Sequence, residues 1–397
     1  MSVISDEMQK LLKGGSVLRM MFEEGKHLTE RYGAENVFDF SLGNPSLPAP
    51  EAFNRALIRA VEETDPFVLH SYMNNAGYED TRQAIANNLN RRFGEDFDYT
   101  HITMTVGAAN ALVAAFKVLL DPEDEVIVFA PYFLEYANYI ANFGGITKVV
   151  PPNPPTFMPD LDALADAITP RTKAVLINNP NNPTGVVYGE DEICALAEVL
   201  EAAQTRLGRP IYLISDEPYR ELVYDGAVVP FPANFYSNTL IAYSFSKSLS
   251  VPGERIGYLA VSPKTESAGE ISRAAAIAVR VIGCVNAPSL QQRAIMEVLD
   301  ITSDMSEYER NRKLLLDGLD SAGFEYVFPR GAFYVFMKTP IEDDNAFAAL
   351  AKDKYRILVA SGSAFCCPGY VRIAYCVPTE RIERALPYFA ALAEDYK

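Results

Sequence analysis

The 397-residue chain has no tryptophan, three histidines and five cysteines. An odd, thinly spread set of thiols does not make a disulfide framework. A chain of this length can bury roughly three quarters of its unfolded surface and needs no covalent or metal staple. His27, His70 and His101 are scattered, with no cysteine or carboxylate at metal-ligand spacing, so they read as capping or surface residues and no metal is expected. Positive charge is also scarce. There are 35 Lys and Arg against 52 Asp and Glu, a net charge of −17. Nucleic acid and anionic membranes both reward a basic face, so neither is expected as a partner. No apolar run reaches ~18 residues, and the opening MSVISDEMQK lacks a basic stretch followed by an apolar core; a soluble, cytoplasmic protein is expected. No low-complexity tract, repeat or long polar linker interrupts the chain. Apolar residues at 49% and charged residues at 22% are ordinary globular usage.

The pattern of apolar runs divides the chain. An amphipathic stretch from Val17 to Leu28, with Ser16 as N-cap and an end near Gly33, reads as a helix. From about residue 100, short apolar runs (102–106, 125–130, 146–150, 173–178, 210–215, 239–244 and 257–261) read as strands. Helical stretches at 108–120, 132–142, 160–167 and 190–207 lie between most of them. This alternation predicts an α/β unit with a mostly parallel sheet covered by helices on both faces. The last third is ordered in blocks: helices at 289–299 and 304–321, strands at 332–337, 356–359 and 371–376, then a helix at 380–394. A large domain over residues 48–290 is therefore expected, with a smaller α+β domain made of residues 1–47 and 291–397.

In an open α/β sheet, ligands bind beyond the carboxyl ends of the strands. The residues following the strand-like runs are Gly107-Ala108-Ala109, Pro131-Tyr132-Phe133, the run Asn178 to Gly185, Asp216-Glu217-Pro218-Tyr219 and Ser244-Phe245-Ser246-Lys247. Each has a commonplace reading alone: small residues for packing, Asn-Pro and Asp for turns, Lys for solvent. Together they place Gly, Asn, Asp, Tyr, Ser and Lys over an apolar sheet, the form of a cofactor site. A lysine among small residues between two apolar strands would be partly desolvated, which lowers its pKa.

Taken together, Ser244-Phe245-Ser246-Lys247 with Pro252-Gly253-Glu254-Arg255-Ile256-Gly257-Tyr258, Asn182-Pro183-Thr184-Gly185 and Asp216-Glu217-Pro218-Tyr219 resemble the motifs of the class I/II aminotransferases. These are fold-type-I enzymes that use pyridoxal 5′-phosphate. The resemblance runs from Leu42-Gly43-Asn44-Pro45 to Val371-Arg372-Ile373. It implies that Lys247 carries the Schiff base and moves the proton between substrate Cα and cofactor. Asp216 would hold the pyridine nitrogen protonated, and Asn182 and Tyr219 would bind the ring's 3′-oxygen. The phosphate would lie on the N–H groups of Gly107, Ala108 and Ala109 beside Ser244, Ser246 and Arg255, whose planar fork suits it. Phe133 matches the position that stacks on the ring.

For the substrate, Arg372 matches the arginine that binds the α-carboxylate, and Gly43 the glycine whose backbone approaches it. Tyr72 resembles a tyrosine that reaches the neighbouring subunit's phosphate, which implies a homodimer with shared sites. Amino acids and 2-oxo acids are the implied substrates, exchanged by a ping-pong transamination with aspartate or a broad or aromatic amino acid as donor. The chain departs from one aspartate-type branch in having Ala109 where that branch has a lysine. Arg280 lies near a distal-carboxylate arginine of another branch. Cys366 and Cys367 fall where relatives have small residues, and read as small buried side chains. A C–S β-lyase on the same scaffold shares these motifs. A non-catalytic sensor module would need a basic winged-helix region that the chain does not show.

Overall fold

The computed structural model describes residues 3–14 and 17–397. Helices cover Asp6–Gly14 and Val17–Tyr32, and Ser16 lies outside the described residues. The first strand, β1 (Phe38–Asp39), is followed by the seven strands of a central sheet. These are β2 (Ile102–Thr105), β3 (Glu125–Phe129), β4 (Ile146–Val150), β5 (Thr172–Asn178), β6 (Tyr212–Asp216), β7 (Thr239–Ser244) and β8 (Gly257–Val261). Their order is β2-β8-β7-β6-β5-β3-β4. All neighbours pair in parallel except β8, which is antiparallel to both β2 and β7. The connection from β7 to β8 holds one α-helical turn, Phe245–Ser248, a 3₁₀ turn, Pro252–Glu254, and no full crossover helix, so β8 returns beside β7 in the opposite direction.

The central strands are buried on both faces, which is why they read as unbroken apolar runs. In β6, Ile214 packs with Leu112, Phe116, Leu240 and Leu259 on one side of the sheet. Leu213, its neighbour, faces the other side with Ile127, Val175 and Leu196. The expected mostly parallel sheet with helices on both faces is thus what the chain forms.

A second sheet has the order β12-β13-β10-β9, all antiparallel, from β9 (Tyr326–Val327), β10 (Tyr334–Lys338), β12 (Ala360–Ser361) and β13 (Tyr370–Ala374). The strand β11 (Ile357–Leu358) instead pairs in parallel with β1. The strand expected at 356–359 is thus found as β11 at 357–358, and the next strand, β12, begins just beyond it in the other sheet. Arg356 has φ 60°, where it ends the helix Asp344–Tyr355, and Val359 separates β11 from β12. The strand expected from 332 begins at Tyr334, because Ala332 has φ 55°. The helix expected at 132–142 is shortened to Glu135–Ala141, and the strand expected at 210–215 is shifted to end on Asp216. Helices also form at Glu51–Glu63, Glu79–Phe93 and Ala268–Val281, outside the segments expected to be helical. Phe38 and Phe40 pack in one core with Leu315, Tyr375 and Phe389. The backbone stitches this junction: Ala374 N–H donates to Phe40 O at 2.8 Å, and Phe40 N–H to Leu358 O at 2.9 Å. Among the described residues no helix is long and apolar enough to cross a membrane.

Candidate active site

The carboxyl ends of β5, β6 and β7 supply Asn178, Asp216 and Ser244 to one cavity of about 280 Å³. The N-terminus of the helix Ala108–Leu119 closes one end. Leu42, Gly43, Tyr334 of β10 and Arg372 of β13 close the other. Residues far apart in sequence meet because parallel strands end on the same edge.

Lys247 projects from the helical turn after β7 and donates from Nζ to Gly43 O at 2.7 Å. Burial pulls its pKa down to about 8; the Arg372 and Arg255 charges push the same way, against the Cys376 thiol. Asp216 is buried, and burial raises its carboxyl to about 7, opposed by a hydrogen bond from Tyr136 and reinforced by Glu217. Tyr136 Oη donates to Oδ2, while Asn178 Nδ2 donates to the Asp216 backbone oxygen at 2.9 Å. Oδ1 is buried without a partner. A buried carboxylate oxygen left unpaired costs free energy unless a ligand completes it.

Arg372 is 2% exposed and lies between two rings, 4.5 Å from the Tyr334 centroid and 4.9 Å from that of Phe365. It donates to Asn182 Oδ1 at 2.9 Å and to Ser41 O, and its Nε has no partner. Tyr219 and Tyr334 share a hydrogen bond of 2.9 Å between their hydroxyls. At the other end Gly107, with φ 82°, precedes the helix; a Cβ there would lie 2.7 Å from Arg255 Nη2. Arg255 donates from Nη2 to Val106 O at 3.2 Å. Ser244 Oγ donates to Ser246 Oγ at 2.8 Å. The cavity thus offers cations at both ends, an amine poised near neutral pH and an orphaned carboxylate oxygen between.

The sequence profile of the family described as aminotransferase class I and II matches residues 35–389. The chain belongs to that family. A probable aspartate/prephenate aminotransferase of Thermus aquaticus is 34% identical over 360 residues, 88% of this chain and 89% of that one. An aminotransferase crystal structure from Eubacterium rectale superposes with a TM-score of 0.97 at 43% identity over 100% of both chains. The aspartate aminotransferase of Thermus thermophilus with maleate gives a TM-score of 0.87 at 30% identity, over 99% of this chain and 100% of that one. The protein is a transaminase, and its cofactor is pyridoxal 5′-phosphate. The relatives' names favour transamination over the C–S lyase and sensor readings.

Two features of this aminotransferase fit the cofactor: the orphaned Asp216 oxygen, and the close approach of Arg255 to a glycine at a helix N-terminus. Of the residues singled out in the sequence, Gly43, Ala108, Ala109, Phe133, Asn182, Asp216, Tyr219, Ser244, Ser246, Lys247, Arg255 and Arg372 line the cavity, and Gly107 borders it. Tyr72 does not; it is 92% exposed in a separate surface groove with Val285. Arg280 is exposed on the helix Ala268–Val281, away from the cavity. Cys366 corrects an expectation: it is exposed, although its neighbour Cys367 is buried as expected. At Cys366 the backbone turns left-handed, φ 60°, as the C-cap of a 3₁₀ turn, and this points the thiol outward to Tyr132 Oη at 3.7 Å. His101 caps a short turn with Asp98 as expected, and His27 sits at the surface beside Glu30.

Tyr136, Tyr139 and Tyr334 line the same cavity and were missed. Tyr136 carried a faint signal, lying three residues after Phe133 at the start of a helix, hence on the same side. Asn178, paired in register with Asp216, was legible as a polar strand end.

Proposed function

We propose that this cavity is where the transaminase acts, with Lys247 as the proton-moving residue. The single observation carrying this reading is an amine with a depressed pKa facing the same space as the unpartnered oxygen of Asp216. The cofactor, when bound, supplies an aldehyde that takes up the substrate's amino group and a ring that accepts the Cα electron pair. This chain's residues do the rest. Lys247 Nζ would take the proton from the substrate Cα and deliver it to the cofactor's aldehyde carbon, and Gly43 O orients the amine through the 2.7 Å hydrogen bond. Asp216 Oδ1 holds the proton on the ring nitrogen. Asn182 spends its Oδ1 on Arg372 and so keeps its Nδ2 hydrogens, which would hold the ring's 3′-oxygen together with the Tyr219 hydroxyl. Arg255, Ser244, Ser246 and the N–H groups at 107–109 take the phosphate. Phe133, on the cavity wall, would lie against the ring and exclude water.

Arg372 takes the α-carboxylate of an L-amino acid, and a 2-oxo acid returns to the same place. The names of the relatives make aspartate the first donor to test. A second reading rests on the cavity wall. Among the described residues its cations are Lys247, Arg255 and Arg372, all committed, while Leu42, Leu112, Phe133 and Tyr139 give it an apolar and aromatic face. That face suits an uncharged or aromatic side chain.

Residues 48–290 are proposed as the large domain, with 1–47 and 291–397 as the small one whose closure completes the pocket. The enzyme is further proposed to be a homodimer, because Phe67, Tyr72, Ile277 and Val281 present large apolar side chains to solvent, and Tyr72 would reach the second copy's phosphate. Its five free thiols suit the reducing cytoplasm.

Incubation with pyridoxal 5′-phosphate and borohydride, followed by peptide mapping, should tag Lys247. Spectra after adding aspartate, phenylalanine or tyrosine without oxo acid should shift for the true donor. A tag on another lysine, or silence across all amino acids, would overturn the reading.

A further inference from the structure

The chemistry proposed above needs Asp216 ionised, yet its surroundings oppose that. It is buried, burial pushes its pKa up, and the next residue is the buried Glu217. Arg220 is paired with Glu217, which also accepts a hydrogen bond from Ser215 Oγ at 2.8 Å, so the buried guanidinium serves Glu217 and not Asp216. The other titratable groups that face Asp216 are the phenols of Tyr136, Tyr139 and Tyr219. Arg255 and Arg372 act on Tyr139 and Tyr219 rather than on the carboxylate directly. Of these groups only Tyr136 touches the carboxylate, donating to Oδ2. Tyr136 is fully buried and its hydroxyl is held far above its ordinary pKa, so it stays a donor. The same ring stands edge-on to Phe133, with centroids 5.6 Å apart and planes at 84°.

We propose that Tyr136 is a positioning residue that keeps Asp216 ionised and turns its second oxygen toward the cofactor's ring nitrogen. This rests on the assignment of Asp216 made above. By occupying Oδ2, the phenol leaves Oδ1 as the only oxygen for the ring, and by standing against Phe133 it fixes the face on which the ring lies. Removing the hydroxyl while keeping the ring separates the two contributions.

The test is Tyr136→Phe, with Tyr132→Phe as control, because Tyr132 stacks on Tyr136 but bonds Cys366 and not Asp216. Binding of pyridoxamine 5′-phosphate, which forms no covalent link to Lys247, is measured from pH 5 to 9 beside wild type. Loss of the hydrogen bond raises the Asp216 pKa, so the acid limb of affinity should move up by about one pH unit. Affinity near pH 6.5 should then fall by about tenfold, with little loss at pH 9. In an Asp216→Asn background the same substitution should change nothing. A uniform loss at every pH with the limb unmoved, or an equal loss in the Asp216→Asn background, would overturn the proposal, as would an equal shift in Tyr132→Phe. Borohydride tagging of Lys247 in Tyr136→Phe tells the two failures apart: a tag there with an unmoved limb sinks only the role of Tyr136.

Discussion

The depressed pKa of Lys247 makes a quantitative prediction about how the apoenzyme captures its cofactor. Only the neutral amine attacks an aldehyde, so the capture rate follows the neutral fraction. An ordinary lysine has a pKa of about 10.4, and the one here is lowered to about 8 by burial and by the Arg372 and Arg255 charges. At pH 7 the neutral fraction is then about one in ten, against roughly one in 2,500 for a free lysine, an advantage of about 250-fold. The sign follows from deprotonation: capture should rise with pH through 7, bend near 8 and level off by about pH 9. Stopped-flow mixing of apoenzyme with pyridoxal 5′-phosphate from pH 6 to 10 measures this. A model lysine amide run in parallel cancels the cofactor's own ionisations. A rate ratio to the model amide that stays flat across this range would mean an ordinary amine, and the argument from burial would fail. Arg372→Ala and Arg255→Ala should each move the bend upward, since both charges depress the pKa.

Other perturbations probe separate parts of the site. In Gly43→Ala the new Cβ would overlap the Tyr334 hydroxyl, so kcat/KM should fall more than ~10-fold, and adding Tyr334→Phe should restore part of it. Arg372→Lys loses the planar fork while keeping the charge; KM for the amino acid should rise by about 10- to 100-fold with cofactor affinity nearly unchanged. The opposite pattern would assign Arg372 to the phosphate. Leu213→Ala, in the fully buried middle of β6, should lower stability by about 2–5 kcal/mol in urea unfolding, with Lys247 still tagged at low denaturant.

Much of the site was legible because strand ends carry its chemistry. A polar residue closing an apolar run, as at Asn178, Asp216 and Ser244, stands out against a parallel strand buried on both faces. The reversal of β8 was not legible, since an apolar run carries no direction. The helix Glu79–Phe93 escaped because it buries Arg82 and Asn88 along with Ile85 and Leu89, which blurs its apolar stripe. The strand expected at 356–359 is trimmed to 357–358 by single residues, Arg356 at its left-handed φ and Val359 between two sheets. Tyr334 was hidden for another reason: an aromatic in a strand reads as core, and it does pack there while its hydroxyl meets Tyr219. A side chain with two surroundings leaves one trace in the sequence.

The contact between Arg372 and the carbonyl of Ser41 joins positions 331 apart in the chain. A growing polypeptide emerges from its N-terminus, so residues 38–43 are made early and have nothing to dock on until β11 and β13 follow. The floor of the pocket, strands β5 to β7, can form before then from nearer neighbours. The wall that meets the α-carboxylate therefore needs both ends of the chain, and a product that stops short of β13 lacks Arg372 and the partner of Ser41.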